Sequence, residues 1–154
     1  MPRLRRAAPN RASQTCAAGT LRRATRAVAR LYDNRLSEAG LTTTQFSILR
    51  ALERHERPLA LRQLADEQVF ERSSLYRALE PLSRDGLVKL SGHPGRRAKE
   101  AMLTARGKQR IARALPHWQH AQHEFLSRFG RQAWTALAAQ LVDIADAARA
   151  LPDA

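Results

Sequence analysis

The chain of 154 residues is poor in several features that would otherwise narrow its chemistry. Cys16 is the only cysteine, so an internal disulfide and a cysteine-based zinc site are both excluded. Aromatic residues make up only 5% of the chain, which is instead rich in the helix formers leucine and alanine. No apolar run reaches the length of a membrane-spanning helix, and none follows the basic start to make a secretory signal. We therefore expect a helical protein of a reducing cytoplasm.

Motifs of the common enzyme classes are also missing. The sequence contains no glycine-rich phosphate loop, no nucleophile elbow and no metalloprotease pair. Its carboxylates are scattered among arginines, where pairing four residues apart on a helix explains them. We expect a protein that is not an enzyme and that uses no cofactor.

Acidic residues are scarce relative to basic ones. The chain has 27 Lys and Arg against 14 Asp and Glu, a formal net charge of +13. Such a surface attracts polyanions and gains free energy by releasing counterions from a phosphate backbone. Of the basic residues 24 are arginines, which suit phosphate and guanine, although a biased genomic base composition gives the same excess. Nucleic acid is the leading predicted partner, and an anionic membrane surface is the second.

The length predicts one domain with a hydrophobic core rather than two. Residues 1–12 lack periodicity and contain two prolines, which predicts a flexible basic arm before a single domain at 13–151. The first 30 residues hold eight arginines and no acid, a composition shared by mitochondrial transit peptides. Apolar residues from Leu21 to Tyr32 nevertheless keep helical spacing, which favours a structural helix from about residue 13.

Apolar periodicity and helix-end signals predict six helices. Gly40 ends the first, and Thr42 with Gln45 has the capping-box spacing at the start of the second. Thr104 caps the fifth, and Gly130 separates it from the sixth. The predicted spans are about 13–39, 43–54, 61–67, 71–84, 105–129 and 131–151.

Between the fourth and fifth helices the pattern changes to that of a β-hairpin. "LVKL" alternates as a strand, "SGHPG" is dense in turn formers, and "RRAKEAML" returns with period two. With an extended piece at 58–60, the order becomes helix, helix, short strand, helix, helix, hairpin. This order predicts a winged helix-turn-helix over residues 42–103, in a mainly α fold with an α+β wing.

The stretch "ERSSLYRALEPLSRDGLVKL" at 71–90 then contains the recognition helix. Leucines at 75, 79 and 82 recur at helical spacing and predict its buried side. Hydroxyls, an aromatic ring and guanidinium groups occupy the other side, where they suit base edges and phosphates. The predicted DNA contacts of this helix are Arg72, Ser73, Ser74, Tyr76 and Arg77.

At the hairpin tip, Arg96 and Arg97 follow Gly92 and Gly95. Arginines presented on such a tip suit a narrow minor groove, and a solvated turn with incidental charges is the alternative. We predict that both arginines contact DNA, because the net charge and the neighbouring recognition helix agree with that function.

The first, fifth and sixth predicted helices all have continuous apolar seams. A winged helix does not need them to complete its own core, so the surplus predicts a partner surface. We expect a homodimer formed through helices 13–39 and 105–151. Two-fold symmetry would then place two recognition helices about 34 Å apart, one turn of B-DNA.

From about Leu21 to Ala148 the chain resembles the MarR family of bacterial transcriptional regulators. The resemblance rests on "GLTTTQFSILRAL", "LRQLADEQ", "ERSSLYRALEPLSRDGLV" and "GHPGRRAKEAMLTARG". It implies an obligate homodimer that binds a pseudo-palindromic operator, represses a nearby gene and releases DNA when a small molecule or an oxidant alters the dimer. It also implies the recognition-helix and wing contacts named above, although Gly95 replaces the acidic residue that in this family precedes the wing arginine by two positions.

Cys16 is the candidate for redox sensing. Arginines at 11, 22 and 23 lie near it in sequence and would favour its thiolate. The peroxide-sensing branch of the same family is similar in placing a cysteine near this point, but that branch pairs the thiol with tyrosines. An inert small residue at a helix end is the alternative, since the nearest tyrosine, Tyr32, is distant in sequence.

The segment "HWQHAQHE" holds His117, His120, His123 and Glu124. Spacings of three and four can bring two metal ligands together on a helix, but successive steps of three drift by about 60° each. A solvated histidine face is favoured, and no metal site is predicted.

The sequence as a whole predicts a sequence-specific repressor that responds to an effector. A non-specific architectural DNA-binding protein and a winged helix that docks another protein are the alternatives. The effector is expected in an apolar crevice between the DNA-binding lobe and the dimer helices, but its binding residues are not identifiable from the sequence.

Overall fold

The computed structural model describes residues 16–92 and 99–150. Within these residues it confirms the mainly α fold and the predicted order of helices and strands, with ends that differ by a few residues at most. The predicted basic arm at 1–12 and the wing arginines, Arg96 and Arg97, lie outside the described residues.

The elements are α1 (Ala17–Leu36), a 3-10 turn (Ser37–Ala39), α2 (Thr43–Glu53), β1 (Leu59–Ala60), α3 (Leu61–Gln68), α4 (Arg72–Arg84), β2 (Val88–Ser91), β3 (Glu100–Leu103), α5 (Ala105–Phe129) and α6 (Arg131–Arg149).

The helix-end signals predicted at Gly40 and Thr42 are confirmed, while the predicted start of the first helix at about residue 13 lies outside the described residues. The Thr42 hydroxyl accepts from the backbone N–H of Gln45 at 3.2 Å, and the Gln45 side chain accepts from the backbone N–H of Thr42 at 2.9 Å. This capping box satisfies two backbone donors that the first turn of α2 would otherwise leave unpaired. After the 3-10 turn, Gly40 has φ 67°, a left-handed conformation that glycine adopts without strain.

The three strands form one antiparallel sheet in the order β1, β3, β2. Val88 pairs with Leu103 and Leu59 pairs with Ala101, so apolar side chains of all three strands reach the core. The predicted hairpin is therefore confirmed up to the residues that border its tip.

The core lies beneath the helix-turn-helix. Leu75, Leu79 and Leu82 on α4 are each at most 1% exposed, as the leucine spacing predicts. They pack with buried residues of α2, α3 and the sheet, and Leu87 after α4 is equally buried. Burial of each large aliphatic side chain contributes on the order of 2 kcal/mol, which fixes α4 against the domain.

The start of α5 passes unusually close to the chain that leads into the wing. The Thr104 hydroxyl accepts from the backbone N–H of Gly107 at 3.0 Å and lies 2.7 Å from the carbonyl oxygen of Gly86, to which it donates. A Cβ on Gly107 would lie 2.3 Å from the carbonyl oxygen of Leu87 and 2.6 Å from a methyl carbon of Leu103. Only glycine permits this approach of helix and backbone.

Gly107→Ala is expected to destabilise the protein by about 2 kcal/mol, because the backbone oxygen cannot move aside without shifting the wing. The measurement is the midpoint of denaturant unfolding at fixed protein concentration. Gly19→Ala in α1 is the control, since a Cβ there meets no atom nearer than 3.6 Å and better helix propensity should raise stability by up to about 1 kcal/mol. Equal stability of Gly107→Ala and the wild type would contradict the packing argument.

Val69 closes α3 in a conformation that suits glycine better than valine. Its φ of 54° and ψ of 46° are left-handed, and the next residue, Phe70, donates its backbone N–H to the carbonyl of Ala65 at 2.8 Å. This is the hydrogen-bond pattern of a Schellman motif, in which a β-branched residue is strained. The Val69 side chain is 64% exposed, so little packing compensates for the strain.

Val69→Gly is expected to raise the free energy of unfolding by about 1 kcal/mol, because relief of the left-handed strain exceeds the added entropy of the unfolded chain. The same denaturant midpoint measures it. Ala112→Gly, at an exposed position inside α5, should instead lower stability by about 1 kcal/mol. A destabilised Val69→Gly variant would show that the valine side chain stabilises the turn.

Candidate nucleic-acid interface

The first two turns of α4 present a polar surface opposite the buried leucines. Arg72, Ser73, Ser74 and Arg77 are all exposed. Their side chains make no hydrogen bond or ion pair with any other residue in 16–92 or 99–150. Two guanidinium groups and two hydroxyls are therefore available to an external ligand, on a helix whose opposite side is held by the core.

Tyr76 differs from its predicted neighbours on this surface. It is half-buried and packs against the hydrophobic core. The prediction that it faces outward with the arginines therefore needs modification: the ring also helps to hold α4 in place. Spacing along the helix could not show this, because the depth of an aromatic ring depends on which other elements lie beside it.

Side-chain hydrogen bonds hold α3 beside α2. The Ser47 hydroxyl on α2 donates to the Gln68 side chain at the end of α3, over 2.6 Å. Glu67 accepts from the Gln63 amide at 3.1 Å and lies 3.3 Å from the His55 ring after α2. The Ser47 and His55 contacts fix α3 against α2, and sequence reasoning did not identify them.

Arg62 adds a positive charge in the first turn of α3. It is exposed, and its side chain has no partner among the residues that the structure describes. The helix that precedes a recognition helix crosses the DNA backbone in this class of fold, which makes Arg62 a candidate phosphate contact. Sequence reasoning missed it, although a basic residue near the start of the predicted third helix was a usable signal.

The wing is described up to the base of its tip. Ser91 pairs with Glu100, and the backbone N–H of Lys99 donates to the carbonyl of Ser91 at 2.8 Å. Residues Arg96 and Arg97 belong to the segment 93–98, outside the described residues, so their predicted contacts stay predictions.

Polar contacts attach α1 to the rest of the chain. The Tyr32 hydroxyl donates to the Gln122 side chain of α5, and burial raises the pKa of Tyr32. Arg35 forms an ion pair of 3.1 Å with Glu124, and this hydrogen-bonded guanidinium is the main cause of the lowered pKa of Glu124. Both contacts join α1 to the middle of α5. Because hydrogen bonds and ion pairs are directional, they fix the position of α1 along α5 more narrowly than apolar packing alone.

A second contact joins α1 to the DNA-binding lobe. One carboxylate oxygen of Asp33 accepts from the backbone N–H of Thr43 at 2.7 Å and from its hydroxyl at 2.6 Å. Thr43 is the first residue of α2, so the carboxylate also lies at the positive end of that helix. The orientation of α1 is thereby transmitted directly to the helix-turn-helix.

The apolar seam predicted for α6 remains uncovered within this chain, whereas those of α1 and α5 pack largely against the core. No residue of α6 is buried, and Val142 and Ile144 are 59% and 45% exposed. At the corner between α5 and α6, Phe125 stacks on Phe129 and meets Trp134 edge to face, with centroid separations of 5.5 and 5.3 Å. Phe129 is itself 45% exposed. An apolar surface of this extent is suited to contact with another protein chain.

Cys16 is exposed and forms the N-cap of α1. Its sulfur accepts from the backbone N–H of Gly19 at 3.4 Å. Tyr32, the nearest tyrosine in sequence, is hydrogen-bonded to Gln122 on α5. The predicted position at a helix start is confirmed, while the redox function of the thiol stays a prediction.

The histidines of α5 do not converge. The His117 ring lies 3.5 Å from the Glu38 carboxylate, and His120 and His123 are exposed. Among the residues that the structure describes, no three histidine, cysteine or acidic side chains are grouped closely enough to hold a metal ion.

Two open cavities lie at the base of the wing, with volumes of about 370 and 390 Å³. Both border His55 in the connection after α2, and neither is lined by α1 or α6. The first is therefore lined by the DNA-binding lobe alone, while the second also borders Lys108 of α5 and so lies between that lobe and a predicted dimer helix. In the described part of the chain no helix is both long enough and apolar enough to cross a membrane.

Comparison with known proteins agrees with the fold. The MarR family matches residues 39–97. The M. tuberculosis transcriptional regulator MosR is 35% identical, with a TM-score of 0.77 over 89% of this chain and 98% of MosR. MosR in complex with DNA gives 35% identity and a TM-score of 0.76 over 88% and 97% of the two chains.

The transcriptional repressor CouR bound to a 23-mer DNA duplex is 25% identical, with a TM-score of 0.72 over 86% of this chain and 94% of CouR. CouR bound to p-coumaroyl-CoA is similar at 24% identity and a TM-score of 0.74, over 86% and 93%. A sequence search of curated proteins found no significant match. Identity to MosR over nearly the whole of both chains, together with the match at the helix-turn-helix, shows that the protein belongs to the MarR family of transcriptional regulators.

Proposed function

We propose that this protein is a sequence-specific repressor of transcription that binds double-stranded DNA as a homodimer and is released by a chemical signal. One observation supports this function above the others. Four polar side chains without partners in the described residues, Arg72, Ser73, Ser74 and Arg77, begin a helix that three buried leucines hold in place. Arginine and serine in this position suit base edges in the major groove, with phosphate contacts fixing the register.

The proposed interface extends beyond α4. Arg62 on α3 would contact a phosphate, and Arg96 and Arg97 would enter the adjacent minor groove from the wing. Tyr76 would contact DNA at the edge of the surface, from its half-buried position. The DNA complexes of MosR and CouR support this assignment, since both proteins have this fold and bind DNA.

The proposed dimer uses residues 13–39 and 105–151, leaving the winged helix-turn-helix at 42–103 free for DNA. The uncovered apolar side chains at the end of α5 and along α6 support it, since a monomer would leave them in water. A two-fold axis would present two recognition helices to a pseudo-palindromic operator. The protein itself performs no catalysis in this proposal, because regulation requires only binding and release.

The releasing signal is either a small molecule or an oxidant. CouR, a repressor of the same fold, binds p-coumaroyl-CoA, which supports a small-molecule effector here as well. The link from α1 to α2 through Asp33 and Thr43 supplies a route by which a change in the dimer helices would move the helix-turn-helix. Cys16, at the start of α1, is the candidate position at which an oxidant would act.

Arg77→Ala is expected to weaken operator binding by about tenfold or more, because a base contact by arginine contributes on the order of 1 to 3 kcal/mol. The measurement is a titration of labelled fragments from the upstream region at fixed salt. Arg113→Ala, which removes an exposed arginine from α5, is the matched control and should retain binding. Sedimentation should show the same dimer for both variants.

Unchanged operator affinity of Arg77→Ala would contradict the assignment of α4 as the recognition helix. Equal, weak and strongly salt-dependent binding of the wild type to every fragment would instead favour a non-specific architectural protein.

For the signal, dilute hydrogen peroxide is expected to release operator DNA from the wild type and not from Cys16→Ser. Peroxide would oxidise the sole thiol to a sulfenic acid, with water as the other product, and so add a polar oxygen at the N-cap of α1, where the sulfur now accepts from Gly19. The same fragment titration, with and without peroxide, measures this effect. Identical responses of the two proteins would remove Cys16 as the sensor and leave the small-molecule signal.

A further inference from the structure

Glu71 is an acidic residue at the start of an otherwise basic recognition surface. It is the N-cap of α4, with φ −61° and ψ 139°, and it is exposed. Its side chain makes no capping hydrogen bond to the helix and no ion pair with any described residue. The carboxylate is therefore available at the end of α4 that the proposed function places in the major groove.

The backbone on both sides of Glu71 is held firmly. On one side, Phe70 packs against the core and donates its backbone N–H to the carbonyl of Ala65 at 2.8 Å. On the other, the backbone N–H of Leu75 donates to the carbonyl of Glu71 at 3.0 Å. The backbone that carries this carboxylate is thus fixed directly before Arg72 and Ser73.

Helix stability does not explain a glutamate at this position. Serine, threonine or aspartate would cap the first turn with its side chain, which Glu71 does not do. The positive end of the helix favours a carboxylate in the free protein. In a complex with DNA, however, the negative phosphates would repel this carboxylate unless a hydrogen-bond donor of the DNA pairs with it.

Two bases present an amino donor in the major groove, cytosine at N4 and adenine at N6, whereas guanine and thymine present acceptors there. Adenine sets its N7 acceptor beside N6, which repels a carboxylate, so a glutamate oxygen is better matched to cytosine N4. We infer that Glu71 determines specificity by accepting a hydrogen bond from a cytosine amino group in each half-site of the operator. This inference rests on the proposed function and names a base that the operator must contain.

The inference is tested by selecting bound duplexes from a randomised pool with the wild type and with Glu71→Gln, followed by titration of the selected sites. The wild type should prefer cytosine at one symmetric position per half-site by roughly tenfold. Glu71→Gln should lose this preference and accept adenine there, because a glutamine amide pairs with adenine. Its affinity for unrelated DNA should also rise several-fold, because a negative charge has been removed from the interface.

Two further variants keep the outcome interpretable. Glu71→Ser replaces the carboxylate with a good N-cap, so it should fold at least as well as the wild type and still lose the cytosine preference. Glu56→Gln removes the same charge from the connection after α2, where the residue is also exposed, and should leave the preferred site unchanged.

An unchanged preference at every position in both Glu71 variants would overturn the inference while leaving the repressor function intact. A preference that is lost at several positions at once, in Glu71→Ser as well as Glu71→Gln, would show that Glu71 only positions α4 and would also overturn it. If the wild type selects no site from the pool, the proposed function fails and the inference fails with it.

Discussion

Burial of one side of α4 is the constraint on which the remaining architecture depends. Leu75, Leu79 and Leu82 have almost no solvent exposure, so the helix cannot rotate without bringing polar groups into the core. Because the leucines lie on one side of the helix, the arginines and serines of the first two turns face solvent on the other side. The polar surface is thus oriented by the hydrophobic effect before any ligand is present, which lowers the entropy that binding must overcome.

The same rigidity extends outward from this helix along two routes. The approach of Gly107 to the carbonyl of Leu87 fixes α5 to the segment between α4 and the wing. Asp33 fixes α1 to the first residue of α2. Since α1 and α5 also belong to the proposed dimer interface, the relative position of two DNA-binding lobes in a dimer would be determined by how these helices pack. A ligand or a modification that changes this packing would therefore change half-site spacing without contacting DNA.

Local signals predicted much of this structure. The capping box at Thr42, the cap at Thr104 and the leucine spacing of α4 each depend on residues close together in the chain, and each is confirmed. The sequence could not show that Tyr76 is half-buried or that Gly107 must lack a side chain, because both depend on elements distant in sequence. Val69 shows a further limit: its left-handed backbone is contrary to local propensity and is held there by the packing of the helices on either side.

The composition of the interface resolves an apparent conflict between affinity and selectivity. A chain with a net charge of +13 binds phosphates of any sequence, so additional arginines raise operator and competitor affinity together. Selectivity increases when the wrong sequence is penalised as well as when the right one is favoured. A carboxylate at the start of α4 supplies such a penalty, because it weakens every complex in which its oxygens meet acceptors or phosphates. Glu71, beside Arg72, thus lowers the affinity for DNA in general. Because it lowers the affinity for wrong sequences more than for the operator, it allows a strongly positive surface to remain selective.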